Sequence, residues 1–113
     1  MADSLDILKR IYAALDDKKG EKIKIIDVSH VTVMTDYFVI TNGNSNSQID
    51  ALVDSVTECL TDLNIKNVNV EGGKNTGWTL IDAGNIIIHI FSKENREFYN
   101  LERIWSDGKI VEF

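Results

Sequence analysis

Few residues in this chain have the type and spacing to do chemistry. Asp82 and His89 come nearest, because a carboxylate ends one apolar run and an imidazole lies within the next. A hairpin between the two runs would bring them within reach of each other, which is the beginning of a general-base arrangement. No nucleophile accompanies them, and a hydrogen-bonded structural histidine is the stronger reading. His30 stands in a polar stretch without a matching ligand, so a metal site has little support. Cys59 is the one cysteine and cannot form an internal disulfide; Val56, Leu60 and Leu63 around it place it in a core. Lys74 lies among the glycines of Gly72 to Gly77, yet the spacing departs from a Walker motif and no helix follows.

A second candidate is the Gly43-Asn44-Ser45 turn between a strand and a helix. Nucleotidyltransferases bind a nucleoside triphosphate at such a turn and hold two metal ions with closely spaced carboxylates on the next strands. Two metals need at least two convergent acids. Nowhere in the chain are two acids separated by a single residue, so the Asp-x-Asp or Asp-x-Glu pair is missing. A nucleotide-handling enzyme is therefore the weaker alternative.

The element that would position Asp82 and His89 is a hairpin from Gly77 to Ser92. Two runs rich in β-branched and aromatic residues flank Asp82-Ala83-Gly84, where Gly84 can take the positive φ of a three-residue turn with a bulge. If Ile81 and Asn85 close that turn, Trp78 and Leu80 share a face with Ile86, Ile88 and Ile90. Thr79 and Ile81 then share the other with Ile87, His89 and Phe91. The second strand is apolar on both faces, which predicts a place in the middle of a sheet.

Around the hairpin, Leu5, Leu8, Ile11, Tyr12 and Leu15 recur at helical spacing behind a cap at Asp3 or Ser4, with Gly20 as the C-terminal cap. Ile23 to Val28 and Tyr37 to Thr41 read as antiparallel strands. Ile49, Leu52, Val53, Val56, Cys59, Leu60 and Leu63 trace a helical stripe, and Asp50, Asp54, Glu58 and Asp62 lie four apart on another face. Val68 and Val70 suggest a third strand, reached by a right-handed crossover that lays the acidic helix across the sheet. Ser92 caps a last helix with Phe98, Leu101 and Trp105 inward, Tyr99 and Ile104 beside them, and Arg96, Glu97, Glu102 and Arg103 outward.

The chain has 113 residues, 43% of them hydrophobic, which suits one compact domain. No apolar run approaches the length of a membrane span, and the acidic start does not resemble a signal or transit peptide, so a cytoplasmic protein is expected. Net charge is −6, and residues 25–65 hold six acids and no lysine or arginine. Such a chain is a poor candidate for an extensive nucleic-acid contact and suits a basic protein better. An RNA-binding regulator stays open as a third reading, to be told apart by steep salt dependence.

Taken in order, Thr35-Asp36-Tyr37-Phe38-Val39-Ile40, the Gly43 to Ser45 turn, Glu71-Gly72, Gly77-Trp78, Ile81-Asp82-Ala83-Gly84, His89-Ile90-Phe91, Arg96 and Tyr99-Asn100-Leu101-Glu102-Arg103-Ile104-Trp105 resemble the ribosomal silencing factor, or Iojap, family. The resemblance covers about residues 5 to 106. It implies an α/β fold related to nucleotidyltransferases without their catalytic acids. With the elements above, this gives a single domain with a mixed sheet of about five strands and flanking helices in the order α-β-β-α-β-β-β-α. It also implies a non-enzymatic protein without a cofactor. The family binds ribosomal protein fourteen on the joining face of the large ribosomal subunit, blocks association with the small subunit and lowers translation when nutrients run short. Position and resemblance together nominate Trp78 as the central anchor, with Leu80 and Asp82 beside it. The turn residues Ala83, Gly84 and Asn85 stand at the edge, and Glu71 and Tyr99 are further contacts. Ala83 and Asn85 depart from the family pattern, which usually has a bulkier residue at the first position and often an acid at the second. An apolar sheet surface that waits for a partner can pair with itself, which leaves a homodimer of the free chain open.

Overall fold

The computed structural model describes residues 3–73 and 76–112. Strand β5 (Ile86–Ser92) organises it. Residues 86 to 91 of this strand are all buried, as expected for a strand without a polar side. It pairs in parallel with β2 (Tyr37–Gly43) on one side and antiparallel with β4 (Trp78–Asp82) on the other. Beyond β2 lie β1 (Glu21–Asp27) and a two-residue strand β6 (Lys109–Ile110), and beyond β4 lies β3 (Asn69–Gly72). The sheet order is β3-β4-β5-β2-β1-β6. The sixth strand was not expected; two residues are too few to show alternation.

Helices α1 (Ser4–Asp17) and α2 (Asn46–Asp62) cover one face. Asp3 caps α1 by accepting from the Asp6 N–H at 2.9 Å, and Ser45 caps α2 by accepting from the Gln48 N–H at 3.1 Å. Leu8, Ile11 and Leu15 of α1 and Ile49, Leu52, Val56 and Leu60 of α2 pack with Ile25, Val39, Ile81, Ile86, Ile88 and Ile90. At the end of α1 the left-handed residue is Lys19, with φ of 62°, rather than Gly20. Gly20 serves a different purpose: a Cβ there would lie 2.9 Å from the Thr41 hydroxyl and 3.1 Å from the Leu15 carbonyl.

The opposite face holds a smaller cluster of Ile26, Val28, Phe38, Ile40, Ile87 and Phe91, against which Trp78, Leu80, Leu101 and Trp105 pack. Here the hairpin register departs from expectation. Trp78 pairs with Phe91, Leu80 with His89 and Asp82 with Ile87, so Trp78 and Leu80 share the odd-numbered face of β5. Ile86, Ile88 and Ile90 lie beneath the helices with Thr79 and Ile81. The cause is the turn. Ala83 donates its N–H to the Ile86 carbonyl at 2.9 Å, closing the loop later than an Ile81–Asn85 pair would, and the change in parity exchanges every side chain between faces. Gly84 does take a positive φ, 87°.

The C-terminal helix is also not continuous. Ser92 caps α3 (Lys93–Tyr99) by accepting from the Asn95 N–H, but Asn100 adopts φ of 45° and separates α3 from a short α4 (Leu101–Ile104). Within α3 the buried residue is Arg96, and Phe98 is 79% exposed where an inward position was expected. Arg96 and Glu102, expected outward, face in. Arg96 is 7% exposed and donates to Glu102 Oε1 from Nε at 2.9 Å and from Nη2 at 2.5 Å. It also donates to the carbonyls of Glu21 and Lys22 and to Asn42 Oδ1, at 3.0, 2.7 and 2.8 Å. The register irregularity between Glu21 and Lys24, with Lys22 at φ of 44°, includes both carbonyls that accept from the guanidinium. These bonds tie α3 and α4 to β1 and β2. Replacing Arg96 by Met should leave Glu102 and two turned carbonyls unpaired and cost about 2–4 kcal/mol. Urea unfolding checks this, and a midpoint equal to that of the unaltered chain would contradict the tether.

Candidate functional site

The second face near β3 and β4 leaves aromatic and aliphatic side chains only partly covered. Glu71 pairs with Leu80 and Gly72 with Thr79, so the edge strand continues the row that runs from Glu71 through Leu80 to His89. Glu71, Gly72, Trp78 and Leu80 line a cavity of about 190 Å³. All four residues of β3 are exposed, including Val70. Tyr99 reaches over from α3, its ring centroid 4.7 Å from that of Trp78 and 6.0 Å from that of Phe91. Trp78 in turn stacks on Phe91 at 5.2 Å. The result is a layered aromatic group, buried at Phe91, half-buried at Trp78 and 39% exposed at Tyr99.

Of the residues nominated from the sequence, Glu71, Trp78, Leu80 and Tyr99 are thus brought together. Asp82 shares their face but accepts from the Gly84 N–H at 2.9 Å, an interaction that shapes the turn. Ala83, Gly84 and Asn85 stand beyond the other end of β4, roughly 17 Å along the strand direction from Trp78. There the Asn85 carbonyl accepts from the N–H groups of Asp36 and Tyr37, and its amide donates to Ser4. Ala83 packs against the larger cluster.

The possible general-base pair does not form. His89 lies opposite Leu80, two residues along from the position that pairs with Asp82, and its Nδ1 accepts instead from the Trp78 indole N–H at 3.2 Å. Its Nε2 is buried and has no hydrogen-bond partner among the described residues. Phe38 and Phe91 wall the ring, with centroids 5.1 and 6.0 Å away. Burial pushes the His89 pKa down to about 4 from the usual 6.5, so the imidazole is neutral at pH 7.

The Gly43-Asn44-Ser45 turn lies where the parallel strands β2 and β5 both end, beside a hollow of about 180 Å³ that Ser92, Lys93 and Glu94 also line. Three of the donors at this turn are engaged within the chain. The Asn44 N–H goes to Gln48 Oε1 at 2.6 Å, and the side-chain amides of Asn42 and Asn44 donate to the two carboxylate oxygens of Glu21. A carboxylate seated at this turn is a poor neighbour for a phosphate. Among the described residues no group of three His, Cys, Asp or Glu converges on one point. Lys74 and Asn75, within the glycine-rich loop considered for phosphate, lie outside the described residues. Cys59 is half-buried, and burial raises its thiol pKa, which disfavours the reactive thiolate. Among the described residues no helix is long and apolar enough to cross a membrane. The Arg96 tether was not legible beforehand: its acceptors include two main-chain carbonyls, which no side-chain pattern reveals.

His89 gives a pH dependence whose sign follows from its depressed value. The unfolded chain takes up the proton first as pH falls, so stability is full above about 6.5 and declines between there and about 4. His89→Gln should remove a slope of roughly 1 kcal/mol per pH unit across that window. Urea unfolding of both chains at pH 7, 6 and 5 measures it; parallel curves would contradict the burial of a neutral imidazole.

A family model described as ribosomal silencing factor during starvation matches residues 1–113. A Bacillus subtilis protein, ribosomal silencing factor RsfS, is 35% identical over 106 residues, which cover 94% of this chain and 90% of that protein. A mouse protein named mitochondrial assembly of ribosomal large subunit protein 1 is 30% identical over 99 residues, 85% of this chain and 43% of that protein. A crystal structure of a Chromobacterium violaceum protein is similar with a TM-score of 0.89 and 31% identity, covering 99% of this chain and 92% of that one. The likeness runs through the sheet, both large helices and the C-terminal segment, and with the family match over the full length it shows that the chain belongs to the ribosomal silencing factor family.

Proposed function

We propose that this protein is a non-enzymatic translational repressor that binds the large ribosomal subunit through ribosomal protein fourteen and keeps the small subunit from joining when nutrients are limiting. The observation that carries the reading is the family match over the whole chain. The name of the mouse relative, which refers to the large ribosomal subunit, supports the choice of subunit. On the molecule, the surface that suits such a role is the group of Trp78, Leu80, Tyr99 and Glu71, which offers apolar area, a shallow cavity and a carboxylate on an edge strand.

The energetics suit docking of this kind. Aromatic anchors at the centre of an interface carry most of the binding energy, and charges at the rim set orientation and association rate. Trp78 is the anchor, Leu80 widens the apolar contact, and Glu71 meets a basic group of the partner. Asp82 and the turn at Ala83, Gly84 and Asn85 extend the same edge of the molecule toward the loop between β1 and β2. Repression then follows from exclusion: a folded domain seated on the joining face leaves no room for the small subunit. A nucleotide-handling reading is disfavoured by the Glu21 carboxylate at the Gly43 to Ser45 turn.

Trp78→Ala should remain folded, because Phe91 and the rest of both clusters are untouched, and should weaken binding to purified large subunits by about tenfold or more. Cosedimentation through a gradient measures this. Undiminished cosedimentation of the variant, with subunit joining still inhibited, would sink the assignment of the anchor.

A further inference from the structure

His89 stands alone among apolar side chains in β5, flanked by Ile86, Ile87, Ile88, Ile90 and Phe91. An isoleucine there would fill the site without the desolvation that an imidazole incurs. Among the described residues, the single side-chain hydrogen bond of His89 is to the indole of Trp78, on the neighbouring strand and the open face of the sheet. An indole N–H at a half-buried position normally turns toward water or toward an acceptor on a partner. Here it points back into the molecule.

We propose that His89 is the positioning residue of the docking face: by accepting from the Trp78 indole N–H it holds the ring stacked on Phe91 and in inclined contact with Tyr99, so that Trp78 offers a partner only apolar surface. This rests on the reading of that face as the ribosome-docking surface. Three observations converge on it. The donor and acceptor lie 3.2 Å apart. Phe38 and Phe91 pack against the imidazole, one edge-on and one stacked. At neutral pH the ring is uncharged, and acceptance from the indole at Nδ1 assigns its one proton to Nε2. Because the indole donor is spent internally, the partner group that meets Trp78 is an aliphatic or aromatic side chain and needs no hydrogen-bond acceptor. Holding the ring in its bound orientation beforehand also lowers the entropy lost on docking.

The experiment uses the full chain, isotope-labelled, with His89→Leu, His89→Gln, Trp78→Phe and the double variant Trp78→Phe/His89→Leu. The unaltered protein should show a nitrogen–nitrogen scalar coupling between Trp78 Nε1 and His89 Nδ1, and slower indole hydrogen exchange at Trp78 than at Trp105. His89→Leu should fold, lose the slow exchange and bind large subunits about fivefold or more weakly. His89→Gln, which keeps an acceptor, should restore most of that binding. In the Trp78→Phe background, His89→Leu should cost less than about twofold, because the bond it breaks is already gone. Equal losses in both backgrounds, or a freely exchanging Trp78 indole in the unaltered protein, would overturn the proposal. If the coupling is present but the unaltered protein binds no large subunits, the docking reading falls and the proposal with it; intact docking by His89→Leu overturns the proposal alone.

Discussion

A strand that is apolar on both sides must be covered on both sides, and β5 imposes that requirement on everything around it. One face is met generously. Two helices of 14 and 17 residues bring seven buried aliphatic side chains to it. The other face has only a broken C-terminal segment of 7 and 4 helical residues to cover it. That segment is held by the packing of Leu101 and Trp105 and by the guanidinium of Arg96, which reaches across to the carbonyls of β1 and to Asn42 in β2.

This unequal covering connects the fold to its use. Near β2 and β1 the second face is sealed by Leu101 and Trp105, the latter 5.0 Å from Phe38. Toward β3 the cover ends at Tyr99, and Trp78 and Leu80 are left half-buried. A structure that only needed stability would extend the helix over them. The turn at Asn100 instead diverts the chain, which leaves aromatic and aliphatic surface beside an edge strand. Surface of that kind is what a partner can bury.

Much of the fold could be read from residue order. The central position of β5, the acidic helix with its apolar stripe, the Ser92 cap and the positive φ at Gly84 all follow from local pattern and turn chemistry. The absent pair of acids was legible for the same reason, being a matter of spacing alone. The faces of the hairpin were not. With β5 apolar on both sides, alternation could not say which set faced the helices, and only the Ala83–Ile86 bond in the turn decides the parity. Phe98 was misplaced because its apolar spacing continues through Asn100, whose left-handed backbone ends the helical phase. Of the nominated surface residues, those whose position depends on pairing across β3 and β4 converge; those in the turn lie at the far end of the strand, where Asn85 is engaged by the loop before β2.

The central claim is that the Trp78 face meets the large ribosomal subunit. A photo-reactive side chain at Asn69, exposed on β3 and on the same face as Glu71 and Leu80, tests it most directly in the presence of purified subunits. The account predicts a cross-link to ribosomal protein fourteen of the large subunit, lost when Trp78 is replaced by Ala. Cross-links confined to ribosomal RNA or to the small subunit, or unchanged by that substitution, would contradict it.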